Sequence, residues 1–146
     1  SAAFGIAGSK YGMLWFAFLD YFFIVFHSAL VLFNLFAWMP RFTRRWNLMT
    51  LGLTAFSWLG LGLFYGIGYC PLTHWHWLVR MKLDRPPMPD SYIKFLADEI
   101  TGRDFDASFV DTATAVLFAS ALIASLLINL RDFRAGRERG RKIRGN

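Results

Sequence analysis

Three long apolar blocks, at 13–39, 47–69 and 109–130, leave this chain few ways to fold. Each is as long as the roughly 20 residues that a helix needs to cross the hydrocarbon core of a bilayer. Hydrocarbon offers no partner for a free backbone N–H or C=O, so each segment must satisfy its own groups. The expected fold is therefore an all-α integral membrane protein. Its three transmembrane helices form a single membrane domain over residues 1–146, and the bilayer is its first partner.

Composition agrees. The chain is 55% hydrophobic with a mean hydropathy of +0.36, above the roughly 45–50% apolar content of soluble domains. A net charge of +6 would direct a soluble protein toward nucleic acid. Here seven of the sixteen Lys and Arg lie between positions 131 and 144, just beyond the third block. A basic segment leaving a membrane helix sits against anionic headgroups, so nucleic acid is not an expected partner. Arg41, Arg44 and Arg45 in the first loop, with Arg131 and Arg134 after the third block, are the expected headgroup contacts. Cys70 is the sole cysteine, which excludes an intrachain disulfide.

Residues 1–11 read as a loose lead-in. The first block exceeds the roughly 7–15 residues of a signal-peptide core, so it is expected to be retained. Pro40 stops it. Gly62 and Gly66 in the second block have the spacing that lets membrane helices approach closely. Residues 70–107 form a polar segment whose Trp75 and Trp77 suit headgroup depth. Prolines forbid a helix through 85–89. Asp90 and Ser91 then offer caps for a short amphipathic helix over 92–100, expected on the outer membrane surface.

Orientation follows from charge. The first loop and the 131–146 tail are basic, whereas 70–107 carries slightly more acid than base. The positive-inside rule places the first loop and the tail in the cytoplasm, with the N-terminus and 70–107 outside. If the source is a bacterium, the expected compartment is the inner membrane.

Polar residues inside the blocks are the candidate site. Asp20, His27 and Asn34 are spaced by seven, so they share one face of a helix. Ionisable groups cost roughly 2.5–3.5 kcal/mol at the bilayer centre and turn inward to find partners. A cluster of Asp20, His27, Asn34 and Asp111 is expected, within reach of Thr54 and Ser57. It reads either as polar glue between helices or as a proton-accepting or ligand-binding site. Cys70, His74 and His76 form a three-donor metal candidate where about four donors are wanted. Haem bound through His27 would need a second histidine at the same depth, and a quinone is the other cofactor considered. No phosphate-binding loop, nucleophile elbow or His-Glu-x-x-His pattern occurs, so no enzyme and no obligatory cofactor are expected.

Several stretches resemble a widespread bacterial family of small multi-pass membrane proteins known as a domain of unknown function. They are Tyr69-Cys70-Pro71-Leu72-Thr73 after a Gly-rich span and His27-Ser28-Ala29-Leu30-Val31-Leu32-Phe33-Asn34-Leu35-Phe36, with Trp75-His76-Trp77 and Ser91-Tyr92-Ile93. The resemblance covers about residues 15–130, with 85–89 and the basic tail standing as local elaborations. It implies an inner-membrane helical protein without an assigned activity. The functional expectation is a non-catalytic accessory subunit of a larger membrane complex, respiratory or photosynthetic. The alternative is a small redox or ligand-binding protein centred on His27.

Overall fold

The computed structural model describes residues 10–145. Among these the chain is helical and contains no strand. Helix α1 is Lys10–Phe36 and α2 is Arg44–Tyr65; α3 is Pro71–Lys82, α4 is Tyr92–Thr101 and α5 is Ala107–Arg144. Helices α1, α2 and α5 are long and apolar enough to span a membrane. The expected lead-in at 1–9 lies outside the described residues, and helix has already begun at Lys10.

Helix α1 is polar on its inner face and apolar on its outer faces. On α1 the buried residues are Gly12, Asp20, His27 and Asn34. Phe18, Tyr21, Phe22, Val25 and Leu32 on its other faces are exposed. Lipid solvates such side chains as well as a protein interior does, so burial need not select them, and polar groups take the inner face instead.

Backbone stitching closes the loop between α1 and α2. Thr43 donates to the Ala37 carbonyl at 2.6 Å, and Arg44 donates to the carbonyls of Trp38 and Met39. These bonds satisfy acceptors that the end of α1 leaves open. Arg44 also pairs with Asp132 of α5 at 2.7 Å, and its side chain is only 12% exposed. It fastens two spans and a loop, where the sequence reading had it facing lipid headgroups. Arg41, Arg45, Arg131 and Arg134 remain exposed.

Within α2 the residues Phe56–Leu61 form a π-helical segment before the α-helix resumes at Gly62. The wider turn changes which backbone groups are free, and the chain beyond uses them. Gly68 N–H donates to the Trp58 carbonyl at 3.2 Å, and Ser57 Oγ donates to the Tyr69 carbonyl at 2.7 Å. Gly66 has a φ of +108° and so ends the helix where a side chain would be strained. A Cβ on Gly62 would stand 3.1 Å from the Ile67 Cα. Gly62 and Gly66 thus fold the chain back on itself, and the helix-to-helix contact expected from their spacing is not what they make.

Pro71 then starts α3 in the first turn, where its missing N–H is no loss. This helix was not foreseen; 70–82 reads as a surface turn from its tryptophans alone. It packs along α1 and buries His76, Val79 and Arg80. Ser91 caps α4 by accepting from Lys94 N–H at 3.3 Å, and Gly102 ends it in the left-handed region. The short helix over 92–100 is present, but its apolar face is occupied. Tyr92, Phe95 and Leu96 are buried against Ile24 and Met88. Asp106 caps α5 through Phe109 N–H at 2.8 Å. The span and the basic tail then form one continuous helix to Arg144. Helices α3 and α4 together cap one end of the three-span bundle.

Candidate functional site

Asp20 is wholly enclosed, with none of its surface exposed. Helix α3 brings His76 and Arg80 to it from one turn apart, since residues four apart share a helix face. His76 Nε2 lies 2.7 Å from Asp20 Oδ1, and Arg80 Nη1 lies 3.4 Å from the same oxygen. Arg85, from the proline loop, sets its Nη1 3.1 Å from Oδ2, an ion-pair contact off the hydrogen-bond direction. His76 Nδ1 is 2.6 Å from the Tyr92 hydroxyl. A carboxylate can only accept, so Nε2 donates to Asp20 and Nδ1 accepts from Tyr92 O–H. The result is a directed Tyr92–His76–Asp20 chain ending between two guanidiniums.

Aromatic faces close the cluster. Phe23 stacks on His76 with ring centroids 5.3 Å apart, and Arg80 lies 4.7 Å from the Phe95 centroid. Burial holds the His76 imidazole below the usual histidine range, against the opposing pull of Asp20. Burial also raises the Tyr92 hydroxyl, with Asp20 adding to the effect. The phenol and the imidazole therefore both stand neutral.

A pH dependence follows. Below about 6.5 an unfolded histidine takes a proton that folded His76 resists, so the unfolded state binds more protons there. Stability should fall as pH drops through that value and hold above it. Thermal unfolding in detergent micelles between pH 8 and pH 5 reads the slope, which should shrink in His76→Gln.

His27 is not in this chain. It lies one face-repeat further along α1, its ring 4.2 Å from the Tyr92 ring, and it makes no hydrogen bond with any described residue. Its Nδ1 is buried without a partner. It borders a cavity of about 520 Å³ between the three spans and α3. Leu30, Leu53, Trp58 and Phe118 give this cavity apolar walls, and Thr54 and Ser57 reach it as the sequence suggested. Asn34 lies on it too. Its Nδ2 donates to Thr54 Oγ1 at 3.1 Å, while its Oδ1 is buried and unpartnered.

Asp111 does not join the cluster. It sits exposed near the start of α5, whose inward face is instead Val110, Ala121 and Ser125. Cys70, His74 and His76 are not gathered either. Both His76 nitrogens are engaged, and His74 stands exposed on another face of α3 beside Tyr69 and Trp77. Among the described residues no three His, Cys, Asp or Glu side chains are placed to hold a metal ion. For haem, His27 is the only histidine on the cavity among the described residues.

Arg80, Arg85 and Tyr92 were not anticipated, nor was the role of His76. The available signal was the spacing of His76 and Arg80 within an aromatic helix, opposite an intramembrane aspartate.

These features define a multi-pass helical membrane protein with a buried ionic cap over an intramembrane cavity. Residues 17–130 match the family described as Protein of Unknown function (DUF2784), and the chain belongs to that family. No curated protein and no solved structure matches it significantly.

Proposed function

We propose that this protein binds a lipophilic small molecule in the cavity between its spans, through a hydroxyl or carbonyl on the ligand. A quinone is one member of that class. The observation that carries the reading is the pairing of apolar walls with two buried polar atoms that lack a partner among the described residues, His27 Nδ1 and Asn34 Oδ1, on residues that line the cavity. Each unmade hydrogen bond in such a place costs about 1–3 kcal/mol. A ligand hydroxyl can donate to Asn34 Oδ1, and a hydroxyl or carbonyl oxygen can accept from a protonated His27 Nδ1, while hydrocarbon fills the remaining volume. The ionic cap supports this role by holding α3, whose first turn forms one wall. The positive-inside rule supports a cap that faces outward and a basic tail in the cytoplasm, and a bacterial inner membrane is the compartment proposed with it.

Bromine quenches tryptophan on contact, and Trp58 and Trp75 line the cavity. Titrating ω-bromododecanol into the purified protein in maltoside micelles should give saturable quenching. His27→Phe, which fills space without offering a nitrogen, should weaken binding about tenfold, the equivalent of one hydrogen bond. Quenching that never saturates, or is unchanged in the variant, would overturn the reading.

The second reading is a non-catalytic accessory subunit of a larger respiratory or photosynthetic membrane assembly. It is favoured by one face of α5, where Ser108, Thr112, Ala115 and Ala119 form an exposed stripe of small side chains. Such stripes let helices approach closely in lipid. Mild-detergent extraction from native membranes should then show co-migration with larger subunits, and a lone monomer would count against it.

A further inference from the structure

A second pocket, of about 280 Å³, opens at the capped end of the bundle. Its walls include Tyr65, Tyr69, His74, Trp77 and Asp90. The rings run in series. Tyr65 stacks on Tyr69 with centroids 4.6 Å apart; Tyr69 is 6.2 Å from His74, and His74 is 6.1 Å from Trp77. Tyr65 and Trp77 keep open faces, at 68% and 37% exposure.

The charge of the pocket has one sign. Asp90 is exposed and makes no hydrogen bond or ion pair with any described residue. Among the described residues, neither Lys nor Arg lines the pocket. The nearby arginines, Arg80 and Arg85, are committed to Asp20. Ring faces carry negative quadrupole density and attract a desolvated organic cation, the arrangement by which proteins recognise quaternary ammonium groups. A carboxylate beside those faces adds to the attraction and repels an anion.

Cys70 lines this pocket and the intramembrane cavity alike. The two spaces therefore both border Cys70 at the start of α3, one aromatic and acidic, the other apolar. Resting on the cavity reading above, we infer that the ligand is an amphiphile with an organic ammonium head. The head seats among Tyr65, Tyr69, Trp77 and Asp90, and the tail runs past Cys70 into the cavity, where a hydroxyl or carbonyl along it meets His27. The head is a lipid amine or a quaternary ammonium, since both present a cation to ring faces and carboxylate.

The test uses the full chain in maltoside micelles and the same quenching readout. The probes are ω-bromododecyltrimethylammonium, ω-bromododecylamine, ω-bromododecanol and ω-bromododecanoate. At least one ammonium probe should bind about tenfold more tightly than the alcohol, and the carboxylate more weakly than the alcohol. Which ammonium wins tells the quaternary source from the amine. Asp90→Asn and Trp77→Leu should each remove most of that advantage while leaving alcohol binding unchanged, which also verifies that the variants are folded. Alcohol binding without ammonium preference, or a preference that survives both substitutions, overturns the head assignment and leaves the cavity reading intact. Failure of every probe to saturate removes both.

Discussion

Asp20→Asn should destabilise the protein by about 3–5 kcal/mol, the usual consequence of removing one partner from a buried ion pair. The side chain is fully enclosed, so no water replaces the lost charge. His76, Arg80 and Arg85 all converge on this carboxylate. An amide in its place offers one acceptor oxygen but leaves the buried Arg80 and the part-exposed Arg85 without their counter-ion. Two links of the capped end depend on it, since α3 is held through His76 and Arg80 and the proline loop through Arg85. The effect should therefore appear in two measurements. Thermal unfolding in detergent should shift downward, and trypsin should cut after Lys82, in the segment leading to the proline loop, faster than in the wild type. Removing a cation together with the anion should recover part of the loss. Asp20→Asn with Arg80→Met should thus be more stable than Asp20→Asn alone. If the single variant unfolds like the wild type, the carboxylate does not hold the cap.

The inner face of α1 was legible because hydrocarbon makes a polar residue conspicuous. Three such residues at a spacing of seven can only share one helix face, and Asp20, His27 and Asn34 do. Their partners were not legible. Asp20 pairs with residues 56 and 60 positions away, on a helix whose tryptophans suit a headgroup-level turn equally well. Trp75 is exposed there while His76 and Arg80 point inward, so one segment serves interface and site together. Asp111 shows the converse. It has the same chemistry as Asp20 but lies within the first turns of α5, where an exposed carboxylate carries no large penalty. Nothing forces it inward. Arg44 misled for a similar reason: its place in a basic loop suggests lipid, yet loop carbonyls and Asp132 lie closer to hand. Hydropathy tells which residues must be satisfied, and only the packed chain tells by what.

Asn47 carries the second large effect, at the opposite end of the bundle from the cap. It is fully buried, and its single amide donates to two carbonyls of α1, Phe33 at 2.8 Å and Asn34 at 3.1 Å. Phe33 O keeps a second donor in Ala37 N–H, so losing Asn47 costs that carbonyl little. Asn47→Leu, of similar volume, removes both bonds at about 0.5–1.5 kcal/mol each and burdens the buried Asn34 carbonyl further. Against this, the variant also deletes the unpartnered Oδ1 of Asn47, which offsets part of the loss. The net should be about 2 kcal/mol of destabilisation. Asn47→Asp should cost more, because it brings a charged acceptor against two carbonyls and supplies no donor. The order wild type, Asn47→Leu, Asn47→Asp should appear in thermal unfolding in micelles. Asn34 bonds Thr54 on the cavity wall, so a loosened junction of α1 and α2 should also weaken ω-bromododecanol binding in both variants. If Asn47→Asp matches Asn47→Leu in stability, the amide is not donating to those carbonyls and the junction is held by apolar packing.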